Sequence, residues 1–140
     1  MMIGAIIGKK FVQSQYDLLN QGDIDTFMKG IADDAIYIYP GDIPISGEIK
    51  GKKAIEEWFH RVWKQFPKIR ITLKNIFVTN VSALGNTNVF ATEWIEDVTS
   101  KDGKEFRFTG VTVVEVKKGK ATDIREYVFD TEIEKKAWEK

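Results

Sequence analysis

A carboxylate set among apolar groups on a strand is a candidate for proton chemistry. The run Gly119-Lys-Ala-Thr-Asp-Ile-Arg-Glu-Tyr-Val-Phe-Asp130 carries one. Side chains alternate across a strand with period two. Ile124, Glu126, Val128 and Asp130 therefore share one face, and Arg125, Tyr127 and Phe129 share the other. If the first face is buried, Glu126 must be paired, hydrogen-bonded or protonated. A solvent-exposed edge strand is the plain alternative. Glu93 repeats the pattern, alternating with Val89, Ala91 and Ile95. Either acid is a candidate general base or acid. Gln15, Tyr37 and Tyr39 are candidate donors to a ligand oxygen. Trp58, Phe59 and Trp63 offer flat apolar walls, and Val128 falls beside Glu126. In a desolvated pocket such an acid has its pKa raised, which suits acid–base work near neutrality. The competing reading pairs Glu93 with Arg107 or Arg125 as an ordinary ion pair.

These residues need elements to place them. Phe11, Val12, Tyr16, Leu18 and Leu19 recur at helical spacing. Asn20-Gln-Gly-Asp23 ends that helix, and Asp23 caps a short second one bearing Ile24, Phe27, Met28 and Ile31. Ala35 to Tyr39 is β-rich and stops at Pro40-Gly41. The loop from Pro40 to Gly51 is a possible flap. Lys52 to Phe66 is the clearest helix, with Ile55, Trp58, Phe59, Val62, Trp63 and Phe66 on one stripe and Pro67 at its end. His60 sits off the stripe. Strand patterns follow at Ile69 to Lys74, Val89 to Val98 and Glu105 to Val116, with turns at Gly85-Asn86, Asp102-Gly103 and Lys118-Gly119. Gly110 inside a strand suggests a bulge or bend. The expected fold is α+β: a cone-shaped, strongly curved antiparallel sheet wrapped around a long helix, with two shorter N-terminal helices. A single domain over 1–140 is expected, with an N-terminal arm at 1–8 and a tail at 131–140 that forms a short closing helix. Asp130 is placed to cap that helix.

Composition narrows the function classes. The 140 residues hold 21 basic and 21 acidic side chains, one histidine and no cysteine. That excludes a disulfide framework or thiolate nucleophile, and shows no basic excess for nucleic acid. No apolar run reaches transmembrane length, so no membrane partner and a cytoplasmic location are expected. No histidine–carboxylate cluster stands at ligand spacing, and no glycine-rich loop precedes a helix. No metal and no nucleotide cofactor are therefore expected.

Leu19-Asn-Gln-Gly-Asp-Ile-Asp25, Ala32-Asp-Asp-Ala35 and Gly51-Lys-Lys-Ala-Ile-Glu-Glu-Trp-Phe59 together resemble the nuclear-transport-factor-2-like superfamily. Gly110-Val-Thr-Val-Val-Glu-Val116, Gly119-Lys120, Arg125-Glu-Tyr127 and Asp130 resemble its SnoaL-like branch. The resemblance spans about Phe11 to Asp130 and implies the cone fold and a homodimer through the outer sheet face. Ketosteroid isomerases on this scaffold need a tyrosine and two aspartates; alignment puts Gln15, Tyr39 and Val111 there, and none matches. The resemblance to limonene-epoxide-hydrolase-like enzymes gives Glu126, within Arg125-Glu-Tyr127, the water-activating role. Thr92-Glu-Trp-Ile-Glu-Asp97 lacks their arginine. SnoaL-like polyketide cyclases move protons with a pocket acid.

Two readings follow. One is a cofactor-independent isomerase, cyclase or hydrolase acting on a small apolar oxygenated molecule, with Glu126 or Glu93 moving the proton. Gln15, Tyr37, Tyr39, Trp58, Phe59, Trp63, Val111 and Val128 then contact the ligand. The other is a non-catalytic small-ligand-binding or homodimerisation module. An empty polar-tipped cavity of roughly 300 Å³ or more favours the first.

Overall fold

The structure is a computed structural model that describes residues 2–79 and 87–139, with side chains from residue 8 onward. The turn expected at Gly85-Asn86 lies outside the described residues.

Helix α1 (Met2–Asn20) is followed by α2 (Ile24–Met28), β1 (Ile31–Tyr39), β2 (Gly47–Lys50), α3 (Lys52–Gln65), β3 (Lys68–Thr79), β4 (Thr87–Thr99), β5 (Glu105–Lys117), β6 (Lys120–Val128) and α4 (Thr131–Ala137). The strands form one six-stranded sheet in the order β2-β1-β6-β5-β4-β3. Strands β3 to β6 make the expected antiparallel meander, but β1 pairs with β6 in parallel. The α+β class stands, and the sheet is mixed at that one junction. The apolar leader is the start of α1 rather than a separate arm, which makes α1 longer than α3.

Local chemistry explains the boundaries. Helix α1 ends where Gly22 takes φ +72°. The Gly22 N–H donates to the Leu19 carbonyl at 2.9 Å, and the Asp23 N–H to Leu18 at 3.0 Å. That pattern closes a helix through a left-handed residue. Asp23 then caps α2 as expected, accepting from the Thr26 N–H at 3.1 Å. Asn20 extends its amide to the edge strand β3. It donates to the Ile71 carbonyl at 2.9 Å and accepts from the Ile71 N–H at 2.6 Å. One side chain thus satisfies backbone groups that an edge strand leaves open.

Helix α3 places Ile55, Trp58, Phe59 and Val62 in the core, and its cap residue Phe66 is also buried. The core continues through Leu19, Ile24, Phe27, Ile31, Tyr37 and Ile45 to Trp94, Phe108 and Ile124 on the sheet. Gly110 marks a close approach rather than a bulge. A Cβ there would fall on the Tyr127 carbonyl and 2.7 Å from Cζ2 of Trp94. The β5–β6 irregularity lies instead between Glu115 and Val116.

Candidate active site

The inner face of the sheet is read across its register. Thr92 on β4 lies opposite Thr112 on β5, and Thr112 opposite Glu126 on β6. Cross-strand neighbours on one face are close enough to bond. Thr112 Oγ1 donates to Glu126 Oε2 at 2.7 Å and accepts from Trp94 Nε1 at 2.8 Å. From β1, the Tyr37 hydroxyl donates to Glu126 Oε1 at 2.8 Å. The Tyr16 hydroxyl of α1 meets Thr92 Oγ1 at 2.6 Å. Both Glu126 oxygens thus accept a bond inside an aromatic shell.

The space they face is an apolar cavity of about 140 Å³. Phe11, Leu19 and Phe27 close one side, Trp58, Phe59 and Trp63 of α3 a second, and Phe90, Trp94 and Phe108 of the sheet a third. Tyr37 and Trp58 pack ring to ring at 4.6 Å. Apolar cavities of about 150 Å³ accept a benzene ring, so this one matches a single six-membered ring. It is smaller than the roughly 300 Å³ at the low end of ligand pockets.

Two further acids reach it. Glu96 of β4 and Glu134 of α4 both line the cavity. Glu134 is only 3% exposed and accepts a short hydrogen bond from the Tyr39 hydroxyl. Glu96 has no hydrogen bond or ion pair among the described residues. Glu96 and Glu126 keep some accessible surface, and both contribute it to the cavity wall. Among the described residues, no lysine, arginine or histidine is part of that wall.

Burial dominates the electrostatics. It pushes Glu126 up to about 7, against the hydrogen bonds from Thr112 and Tyr37. Burial pushes Glu96 up to about 8, with help from the charges of Glu126 and Glu134. Glu134 is raised by burial and partly restored by Tyr39. Tyr16, Tyr37 and Tyr39 are all driven upward, first by burial and then by the neighbouring carboxylates. All three stay neutral throughout the physiological range, and Tyr37 and Tyr39 donate to the acids. Glu126, near half-protonated at neutrality, can take or give a proton.

Of the sequence candidates, Glu126, Gln15, Tyr37, Tyr39, Trp58, Phe59 and Trp63 all line this cavity. Glu93 does not. The inner set of β4 is Phe90, Thr92, Trp94, Glu96 and Val98, one residue out of step with the set that contains Glu93. Glu93 accepts from Asn75 Nδ2 at 2.7 Å on the outer face. It pairs with neither candidate arginine: Arg107 grips Asp97, and Arg125 faces Asp123 at 3.2 Å. Val111 also points outward, opposite Tyr127. Val128 packs on the core without lining the cavity. Asp130 occupies the cap position of α4, but its carboxylate binds the Thr109 N–H and hydroxyl at 2.7 Å. The acids that sequence reasoning missed are Glu96 and Glu134. For Glu96 the available signal was the bulkier alternating set around Trp94.

The expectation of no histidine–carboxylate cluster needs amendment. Asp25 of α2 joins the Glu56–His60 pair of α3, with ligating atoms within 4.8 Å of one another. These side chains lie on the surface, and none lines the cavity.

A curled sheet packed over helices is the fold of the nuclear-transport-factor-2-like proteins. Among these, the chain belongs to the SnoaL-like domain family, whose model matches residues 12–124. No curated protein sequence matches it. Bal32a, from a soil-derived mobile gene cassette, has a similar fold: TM-score 0.78, 22% identity, 97% of this chain and 99% of that one covered. A Xanthomonas campestris protein of cystatin-like fold and unknown function gives TM-score 0.74 at 19% identity, covering 94% and 97%. TerC, co-crystallised with polyporic acid, gives 0.72 at 21% identity, covering 94% and 97%. Among the described residues no helix is long and apolar enough to cross a membrane.

Proposed function

We propose that the protein binds a small, largely apolar, oxygenated molecule of about one ring and moves a proton on it through Glu126. The chemistry would be that of an isomerase, cyclase or hydrolase without a cofactor. The observation that carries this reading is a single one. Glu126 stands in an apolar cavity, oriented by Tyr37 and Thr112, where burial pushes its pKa up to about 7. An acid so poised serves equally as base and acid. The family and a relative crystallised with an organic ligand support the small-molecule assignment.

The test is solvent-deuterium incorporation into a panel of one-ring ketones, read by mass spectrometry. The native chain should exchange protons beside the carbonyl above buffer background, and Glu126→Gln should lose about 100-fold or more of that rate. Equal exchange in a folded variant would remove Glu126 from the role.

The small cavity favours a second reading, a non-catalytic module that binds a ligand or only dimerises. Its signature is ligand affinity untouched by Glu126→Gln and no exchange at any ketone. In either case we propose a homodimer through the outer sheet face, where Phe77, Val111, Val113 and Tyr127 are accessible and laterally continuous.

A further inference from the structure

Three acids, Glu96, Glu126 and Glu134, reach the cavity. The hydroxyls of Tyr37, Tyr39 and Thr112 already spend their protons on Glu126 and Glu134. Glu96 offers two carboxyl oxygens with no partner among the described residues. Around these acids the wall is aromatic, including Tyr37, Tyr39, Trp58 and Trp94, and among the described residues it holds no basic side chain. Aromatic faces attract cations, and more strongly when water is excluded. A carboxylate in the same space adds charge-assisted hydrogen bonding. An anion would meet ring faces and acids, with the Gln15 amide as a neutral donor and no basic side chain among the described residues.

From this we infer that the ligand carries a positively charged nitrogen, a protonated amine on a body of about one ring, seated against Glu96 with the aromatic wall around it. This rests on the small-molecule reading above and names the class of molecule. Glu96 is the specificity residue and Glu126 the proton carrier beside it. The groups that face the nitrogen are Glu96, Glu126 and Glu134, with the neutral hydroxyls of Tyr16, Tyr37 and Tyr39. An incoming cation favours the ionised carboxyl, so binding expels a proton from the site.

Three probes of matched size separate the possibilities: benzylamine, benzyl alcohol and benzoate, titrated calorimetrically into the native chain at about pH 7.5 in two buffers of different ionisation enthalpy. The inference predicts benzylamine binding at least about ten-fold tighter than benzyl alcohol, with proton release seen as a buffer-dependent heat. Benzoate should show no heat. Glu96→Gln, checked for a native melting transition, should bring benzylamine within about three-fold of benzyl alcohol. Equal affinity for amine and alcohol in the native chain, or tighter binding of benzoate, overturns the inference and leaves the cavity reading standing. Absence of binding by all three probes overturns both. The buffer comparison needs no variant, so a misfolded Glu96→Gln does not remove the test.

Discussion

Replacing Glu126 by glutamine should stabilise the folded chain at alkaline pH. In the folded state the carboxyl holds its proton up to about 7, against 4.5 for an unburied one. Between these values the folded chain binds a proton that the unfolded chain has released, so stability falls as pH rises. Below about pH 4.5 both states are protonated and the penalty is absent; above about 7 it is complete. The difference corresponds to about 3 kcal/mol. Glutamine has nearly the size of the protonated acid and does not titrate. Its carbonyl can still accept from Tyr37, and its amide can donate to Thr112. Relief of Glu96, which the Glu126 charge raises, adds to the gain in the same direction. Urea unfolding, followed by the fluorescence of the four tryptophans, gives the curves. Native chain and variant should agree within about 1 kcal/mol near pH 5, with the variant ahead by about 2–3 kcal/mol near pH 9. Parallel curves, or a variant that is weaker at pH 9, would refute the buried-acid reasoning.

Other perturbations probe the surrounding frame. Tyr39→Phe removes the donor to the nearly unexposed Glu134, which should cost about 1.5–3 kcal/mol and speed amide exchange in α4 about ten-fold or more; unchanged exchange would show that this bond does not hold the helix. Gly110→Ala drives a methyl group into the Tyr127 carbonyl and the Trp94 ring. Urea titration should show a loss of about 3 kcal/mol or more, and a stable variant would mean that the sheet yields there. Tyr127 is half exposed. Tyr127→Lys should therefore leave the melting temperature nearly unchanged while shifting sedimentation from twice the chain mass to the chain mass. A persistent dimer would place the interface elsewhere.

Much of this architecture was legible in the residues. The stripe on α3, the Asp23 cap, the Asp102-Gly103 turn and the parity that puts Glu126 beside Ile124 all follow from short-range rules. What escaped were facts about faces. On β4 both alternating sets are apolar, because the outer set (Ala91, Ile95) is also shielded from full exposure. Hydrophobic periodicity then cannot say which side is in, and a one-residue slip exchanges Glu93 for Glu96. The placement of Val111 rests on aligning the Gly119-Lys120 turn with a family pattern, and a strand alignment that is one residue out puts a side chain on the other face. Glu134 was hidden for another reason. It sits in a short terminal helix whose orientation depends on where α4 docks, and no local pattern carries that information. The parallel pairing of β1 with β6 joins strands far apart in the chain, so it too is a tertiary fact.

The central claim is that Glu126 titrates near neutrality inside an apolar cavity. Carbon-13 NMR of the glutamate side-chain carboxyls, followed from about pH 4 to 10, tests it without a ligand or an activity. Two resonances should titrate with midpoints above about 6, coupled to each other. One should vanish in Glu126→Gln, with the surviving Glu96 midpoint lowered because the Glu126 charge is gone, and the other should vanish in Glu96→Gln. If every carboxyl resonance titrates below about pH 5.5, the acids are solvated and the account is wrong.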